Sequence, residues 1–265
     1  LKDRSINSIM IMTRHDDHAA LTLQALQSGK HVYCEKPLAL TVQELADIET
    51  LLSKPKTPLL MVGFNRRFAP LSVHLKDFLS NHSEALYAHY TVNAGFLSAN
   101  HWLHDLAQGG GRIIGEACHF IDYLTFLVGQ APGNIQAVDL QDQGKYHQDN
   151  MKLTLEFEEG SIGSIAYLAN GDKTFPKERV EVFCGGKVAV LDDFRSLSMT
   201  TNGNKKKIHS PFRQDKGHVA SWAAFVDAIR STGKAPIPYD QILAVSRIAI
   251  LAGQAATQKN RIELT

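Results

Sequence analysis

The chain has no long apolar run, no excess of either charge and almost no cysteine. Nothing in its 265 residues stays apolar for the roughly 20 consecutive positions that a bilayer-spanning helix requires. No stretch shows the charged, apolar and small-residue succession of a signal peptide. Lysine and arginine total 28 against 27 aspartates and glutamates, a formal charge of +1, which argues against nucleic acid or an anionic membrane as partner. The three cysteines, Cys34, Cys118 and Cys184, are isolated and fit a reducing cytoplasm better than a disulfide framework. His101-x-x-His104 has no obvious further ligands and reads as a loop with two histidines, so no metal site is expected. Internal repeats and low-complexity segments are absent too.

What is there begins with an alternation of strands and helices. Ile6–Met12 reads as a buried strand, and Asp16 or Asp17 can cap the helix after it, whose Ala20, Leu23 and Leu26 form a packing stripe. Gly29 stops that helix and Lys30–Cys34 is a second strand. Pro37 ends the extension near Glu35-Lys36. Thr41 with Glu44 makes a capping box for a helix to Ser53, and Pro58–Gly63 is a third strand. Such a β-α-β-α-β run implies a parallel sheet with right-handed crossovers. It is half of a doubly wound, Rossmann-like α/β domain, over residues 1–64.

From 65 to 265 the pattern is that of an α+β domain. A helix over 70–79 precedes expected strand segments at 84–93, 133–140, 149–157, 161–169, 177–184, 187–193, 196–201 and 205–209. Glu158-Glu-Gly160, Gly185-Gly186 and Asn202-Gly203-Asn204 supply the turns. Helices over 217–231 and 240–258 close the chain, with Trp222, Phe225, Val226 and Ile229 read as core. The expected architecture is a mainly antiparallel open sheet with helices on one face. The Lys205–Lys207 run reads as a solvated hairpin tip.

Two places carry candidate chemistry. Glu35 and Lys36 stand at the carboxyl end of a strand just before a helix, where open α/β sheets bind ligands; on residue types alone, plain loop residues are the better reading. In a helix over 115–128, Ile114, Ala117, Ile121, Leu124, Thr125 and Val128 fall on one side at 100° per residue. His119 falls on the other, with Glu116 and Asp122 three residues away and Tyr123 four. On geometry alone a functional histidine and an exposed surface one stand level.

Four ordered stretches resemble one family. Gly29-Lys-His-Val-Tyr-Cys-Glu-Lys-Pro-Leu-Ala39, Ile9-Met-Ile-Met-Thr13 with His18, Met61-Val-Gly-Phe-Asn-Arg-Arg-Phe-Ala-Pro70, and Gly109-Gly-Gly-Arg-Ile-Ile-Gly-Glu-Ala-Cys-His-Phe-Ile-Asp122 are similar to signatures of the glucose-fructose oxidoreductase, inositol dehydrogenase and rhizopine-catabolism family of nicotinamide-dependent oxidoreductases. The resemblance implies NAD or NADP as cofactor and hydride transfer to or from a sugar, cyclitol or nucleotide-sugar carbinol. It implies Lys36 as the orienting, electrostatic residue and His119 as proton acceptor, a role suited to a group titrating near neutrality. Thr13, Arg14, His18, Glu35, Lys36, Pro37, Asn65 and Arg66 become candidate cofactor contacts. One of Arg66 and Arg67 is expected to face the cleft and the other a solvent salt bridge. Lys36, Trp102, Asp105, His119 and Asp122 are candidate substrate contacts.

There are departures. Many members of that family have an aspartate four residues before the histidine, where this chain has Gly115; Glu116 is expected to stand in for it as a third catalytic group. No Gly-x-Gly-x-x-Gly fingerprint occurs in the sequence. Because the family carries that fingerprint upstream of the segment like residues 6–13, the sequence is expected to be a fragment without it, inactive alone. The glycine-triplet variant also resembles members tied to polysaccharide synthesis, which leans the expectation toward a nucleotide-sugar or glycan. Two rivals stand beside the dehydrogenase: a non-catalytic sugar or nucleotide sensor, and glycoside hydrolysis or elimination through transient oxidation. A homodimer or homotetramer through the open sheet face is expected, since strands such as Ile162–Leu168 are too apolar for a solvated face.

Overall fold

The computed structural model describes residues 1–80, 84–141, 143–147, 149–210 and 213–258, the side chains of 232 and 255–258 excepted. Its contacts form two compact units, each built from separate stretches of chain. The first comprises Leu1–Phe64, Asn100–Asp122 and Val219–Gly253, the second Asn65–Ala99, Tyr123–His218 and Gln254–Thr265. The contacts thus group the chain otherwise than a single division after residue 64, because two later segments return to the first unit.

The first unit holds a parallel sheet in the order β1 (Ser8–Ile11), β2 (His31–Cys34), β3 (Leu60–Val62). Helices α1 (His15–Gln27) and α2 (Val42–Leu52) are its crossovers, as parallel pairing requires. β2 is central, and Val32, Tyr33 and Cys34 are at most 3% exposed, the continuous burial expected of a strand covered on both faces. Thr41 and Glu44 form the capping box of α2 in both directions. α1 differs from expectation. Its cap position is Arg14, with no side-chain cap, and Asp16 and Asp17 lie inside the first turn, where their charge favours the helix dipole. Helix α5 (His218–Asp227) lays Phe225 edge-on against Tyr33, and Ser221 bonds the Tyr33 hydroxyl. Trp222, expected in the core, is 39% exposed because the inward positions of α5 are taken by Ser221 and Phe225; it touches Tyr33 only at the rim. From α6 (Tyr239–Gln258), the Tyr239 hydroxyl accepts the Leu60 amide on the outer edge of β3.

The second unit is an eight-stranded sheet in the order β11-β10-β9-β8-β4-β7-β6-β5. The strands are β4 (Tyr87–Asn93), β5 (Asn134–Asp139), β6 (Asn150–Glu156), β7 (Ile162–Leu168), β8 (Glu178–Cys184), β9 (Lys187–Asp192), β10 (Ser196–Thr201) and β11 (Asn204–His209). Every pair is antiparallel except β4–β7. Alternate residues face a core, Ala88, Tyr90 and Val92 on β4 and Val180 and Val182 on β8, while Tyr87, Ile162 and Phe183 on the other face stay exposed. Asn202-Gly203, both with positive φ, close the β10–β11 hairpin as two-residue loops of that composition do. Lys205–Lys207 lie along the exposed edge strand β11 rather than at the tip.

A charge cluster sits inside this second unit. Arg66, from the short 3-10 turn Asn65–Phe68, bonds Glu178 through two nitrogens at 2.7 and 2.9 Å. Lys216 and the Tyr90 hydroxyl bond the same carboxylate. Burial alone would raise the Glu178 carboxyl, but the Arg66 charge and hydrogen bonds, followed by those of Lys216, outweigh it and bring it down to about 2. Arg67 is buried as well, its guanidinium 5.6 Å from the Phe126 ring, so neither arginine stands in solvent as was expected of one of them. Because a charge stripped of its partner inside a protein is costly, Glu178→Gln leaves two cations uncompensated. It is expected to lower stability by about 3–5 kcal/mol, read as a fall in the urea midpoint at constant m-value.

Candidate active site

The loops that follow the three parallel strands carry the candidate chemistry, at the strand ends where such sheets place ligands. His18, 1% exposed, ties two of them together: Nδ1 lies 2.7 Å from the Pro37 carbonyl and Nε2 3.2 Å from that of Thr13. His18 is thus a strut under the loops. The Lys36–Pro37 peptide is cis, and Pro37, Leu38 and Ala39 are buried while Lys36 stays half-exposed. The Lys36 ammonium donates to the Gly115 carbonyl at 2.7 Å. It makes no ion pair among the described residues, so N–H donors remain for a ligand.

Gly115 belongs to a π-turn, Ile113–Ala117, that runs into α4 (Cys118–Val128). A π-turn carries one residue more than an α-turn and so offsets its carbonyls from their usual donors. Carbonyls point toward the helix C-terminus. The bond to Gly115 therefore draws the Lys36 ammonium toward the turn that carries His119. His119 is 9% exposed, with its ring edge-on to Phe64 at 6.4 Å. It is neither the exposed surface histidine nor a residue on a polar side. Cys118, Phe120, Ile121, Asp122, Tyr123 and Leu124 are all at most 1% exposed, so α4 is buried nearly all round, polar positions included. The 100° extrapolation from Ile114 and Ala117 fails because it crosses the π-turn. The same offset weakens the argument for Glu116, whose carboxylate lies 3.3 Å from the Arg112 guanidinium.

The segment before the π-turn closes over the start of α1. Trp102 lies edge-on to His15 at 4.8 Å, and the Arg14 guanidinium is 5.1 Å from the Trp102 ring centre. Arg14 donates to the Gln108 side chain at 2.8 Å, the Asp16 amide to the Gln108 carbonyl, and His15 Nδ1 to the Gly109 carbonyl at 2.8 Å. A Cβ on Gly109 would stand 2.5 Å from the Leu103 backbone, and Gly110 and Gly111 both have positive φ. The triplet is thus required for packing and for backbone sign. Asp105 accepts from the Ala107 and Gln108 amides and shapes this turn. Among the described residues no group of His, Cys, Asp and Glu is arranged to hold a metal ion.

Comparison with known sequences identifies a family. Residues 1–64 match the pattern described as "Oxidoreductase family, NAD-binding Rossmann fold", and residues 82–186 match "GFO/IDH/MocA C-terminal domain". The chain belongs to this oxidoreductase family. It is 30% identical over 176 residues to inositol 2-dehydrogenase 2 of Saccharopolyspora erythraea, an alignment covering 64% of this chain and 50% of that protein. With inositol 2-dehydrogenase of Rhizobium meliloti it shares 24% identity over 272 residues, 98% of this chain and 81% of that one. The chain thus spans from half to four-fifths of the length of these relatives. Its fold is that of a levoglucosan dehydrogenase solved with NADH and levoglucosan, with a TM-score of 0.82, 20% identity and coverage of 99% of this chain and 81% of that one.

In this member of the GFO/IDH/MocA family, Thr13, Arg14, Glu35, Lys36 and Pro37 lie in the loops after β1 and β2 and His18 in the first turn of α1, with Trp102, Asp105, Glu116, His119 and Asp122 in the same unit. Asn65 and Arg66 fall in the other unit, where Asn65 bonds the Lys216 carbonyl and Arg66 bonds Glu178. Asp122 is fully buried. Residue reading missed His15. Its signal was the i, i+3 pair with His18, which puts two histidines on one helix face. Burial pushes His15 down to about 4; the Gly109 hydrogen bond opposes this and the Lys36 charge adds to it. With the folded value below the unfolded value of about 6.5, the unfolded chain binds the extra proton first. Stability is therefore full above about pH 6.5 and lost as pH falls toward 4. His15→Asn is expected to flatten this slope by on the order of 2 kcal/mol, measured as the difference in unfolding free energy between pH 7 and pH 4.5.

Proposed function

We propose that the protein is an NAD(P)-dependent dehydrogenase that oxidises a secondary alcohol on a cyclitol or sugar. The observation that carries the reading is the Lys36–Gly115 hydrogen bond, which aims a half-exposed ammonium at the turn bearing His119. The similarity to two inositol 2-dehydrogenases supports the substrate class, and favours a free polyol over a nucleotide-sugar.

The residues present fit the nicotinamide end of a dinucleotide. The loops after β1 and β2 are fastened to each other by His18. Gly63, after β3, leaves room for the Glu35 carboxylate where a Cβ would stand at 2.9 Å. Thr13, Arg14 and the Glu35–Pro37 loop would hold the cofactor there, and when bound it supplies the hydride acceptor. Lys36 binds the substrate oxygen and lowers the energy of the negative charge that develops on it. His119 takes the hydroxyl proton. Burial of Pro37, Leu38 and Phe64 keeps water from the floor of the site.

Lys36→Met and His119→Ala in the intact protein are each expected to lower kcat at least about a hundredfold, with NAD(H) binding by His119→Ala preserved. Near-normal turnover removes the residue from the mechanism. Polyol binding without NADH formation would make the protein a sensor, and glycoside consumption without net NADH would mean transient oxidation.

We also infer a homodimer or homotetramer through the sheet face on which Tyr87, Ile162 and Phe183 are exposed, in a cytoplasm whose reducing poise suits three free, buried thiols. Among the described residues no helix is long and apolar enough to cross a membrane. Light scattering at micromolar concentration is expected to give at least twice the monomer mass; the monomer mass overturns the assembly.

A further inference from the structure

The space beside Gly115 is already filled, and what fills it is His15. A Cβ at 115 would stand 2.9 Å from His15 Cε1, 3.1 Å from Leu103 Cδ2 and 3.4 Å from His15 Nδ1. The first is closer than side chains tolerate without something shifting, the second needs a few tenths of an ångström of give, and the third is ordinary contact. The ring cannot easily yield, because Nδ1 is bonded to the Gly109 carbonyl and the ring stands edge-on to Trp102. Trp102 is held in turn by Arg14, which is anchored on Gln108. On the backbone side of the same residue, the Gly115 carbonyl is the acceptor that fixes the Lys36 ammonium.

We propose that His15 is a positioning residue of the dehydrogenase: it seats against Gly115, holds the π-turn in register and so sets where the Lys36 ammonium points. The device works through contact with a glycine, in place of a side chain at 115 reaching for the lysine. Since Nδ1 donates to a carbonyl, Nε2 of the neutral ring carries the lone pair. A neutral ring also spares Lys36 a second positive charge beside it, in keeping with the depressed value of His15. Leu103 closes the remaining side. The 101–111 segment thereby joins the same unit as the lysine whose aim it sets.

This inference rests on the dehydrogenase reading of Lys36, and its test separates the two. The first readout needs no activity: the Lys36 signal in protein labelled with 13Cε,15Nζ-lysine, assigned by its loss in Lys36→Met. The second is kcat and KM for the polyol with NAD. Gly115→Ala is expected to shift the Lys36 signal and to lower kcat about ten- to a hundredfold, with the KM for NAD unchanged. In the His15→Ala background the tightest of these contacts is gone and only the 3.1 Å approach to Leu103 Cδ2 remains. There Gly115→Ala is expected to cost less than about threefold, a coupling that independent sites do not show. An equal cost of Gly115→Ala with and without His15, or an unmoved Lys36 signal, overturns the proposal. If Gly115→Ala does not fold, His15→Asn decides: a moved Lys36 signal with kcat down about tenfold supports positioning, and an unchanged signal and rate overturn it. An intact wild-type protein that lacks dehydrogenase activity, yet shows the coupled shift of the Lys36 signal, refutes the function and leaves the packing device standing.

Discussion

One hydrogen bond organises the chemistry of the first unit: the Lys36 ammonium on the Gly115 carbonyl. A lysine side chain has four rotatable carbons and a strongly hydrated head, so it holds a direction only when something takes one of its protons. Here the taker is a neutral carbonyl. Among the described residues no carboxylate pairs with the ammonium, which suits the contact proposed above with an oxygen that becomes negative during oxidation. That carbonyl sits in a π-turn, which offsets carbonyls from the usual ladder, an arrangement found repeatedly at functional sites. The glycine triplet, the His18 strut and the Arg14–Trp102–His15 stack all bear on the same few atoms.

The second unit solves a different problem with the opposite device. Glu178 is fully buried and answered by two cations and a tyrosine hydroxyl. Such a cluster is a poor source of net stability, since desolvation cancels most of the attraction. It is highly directional, however. The bidentate pair fixes the turn that carries Arg66 against β8, and Lys216 draws the 213–217 segment onto the same spot. Charge is kept accessible in one unit and locked away in the other.

Much of this fold was legible in the residues. Thr41 and Glu44 announce their helix by spacing alone, and Asn202-Gly203 declares a hairpin, because both are local arrangements with few alternatives. The Lys36 loop was legible as well, through Pro37 and the strand before it. Long-range grouping was not. Nothing local tells residues 100–122 or 219–253 that they pack with the first 64. The setting of His119 was misjudged for a related reason: a π-turn leaves no mark on composition, yet it shifts the phase of every residue beyond it. His15 was passed over because its importance lies in an empty side-chain position a hundred residues away.

The interleaving of the two units bears on how the polypeptide comes into being. Its first 64 residues contain the whole three-stranded sheet, yet the partners of Tyr33 and the cover on the outer edge of β3 come from residues 221–239. A ribosome working at about 5–20 residues per second takes roughly ten to forty seconds to travel from Phe64 to Gly253. For that interval the nascent sheet has α1 and α2 but not the cover from α5 and α6, and the intervening antiparallel sheet is emerging at the same time. Strand edges from both are then available to each other and to neighbouring chains. A chain assembled in this order leaves apolar surface and strand edges open to association for longer than one whose domains follow one another.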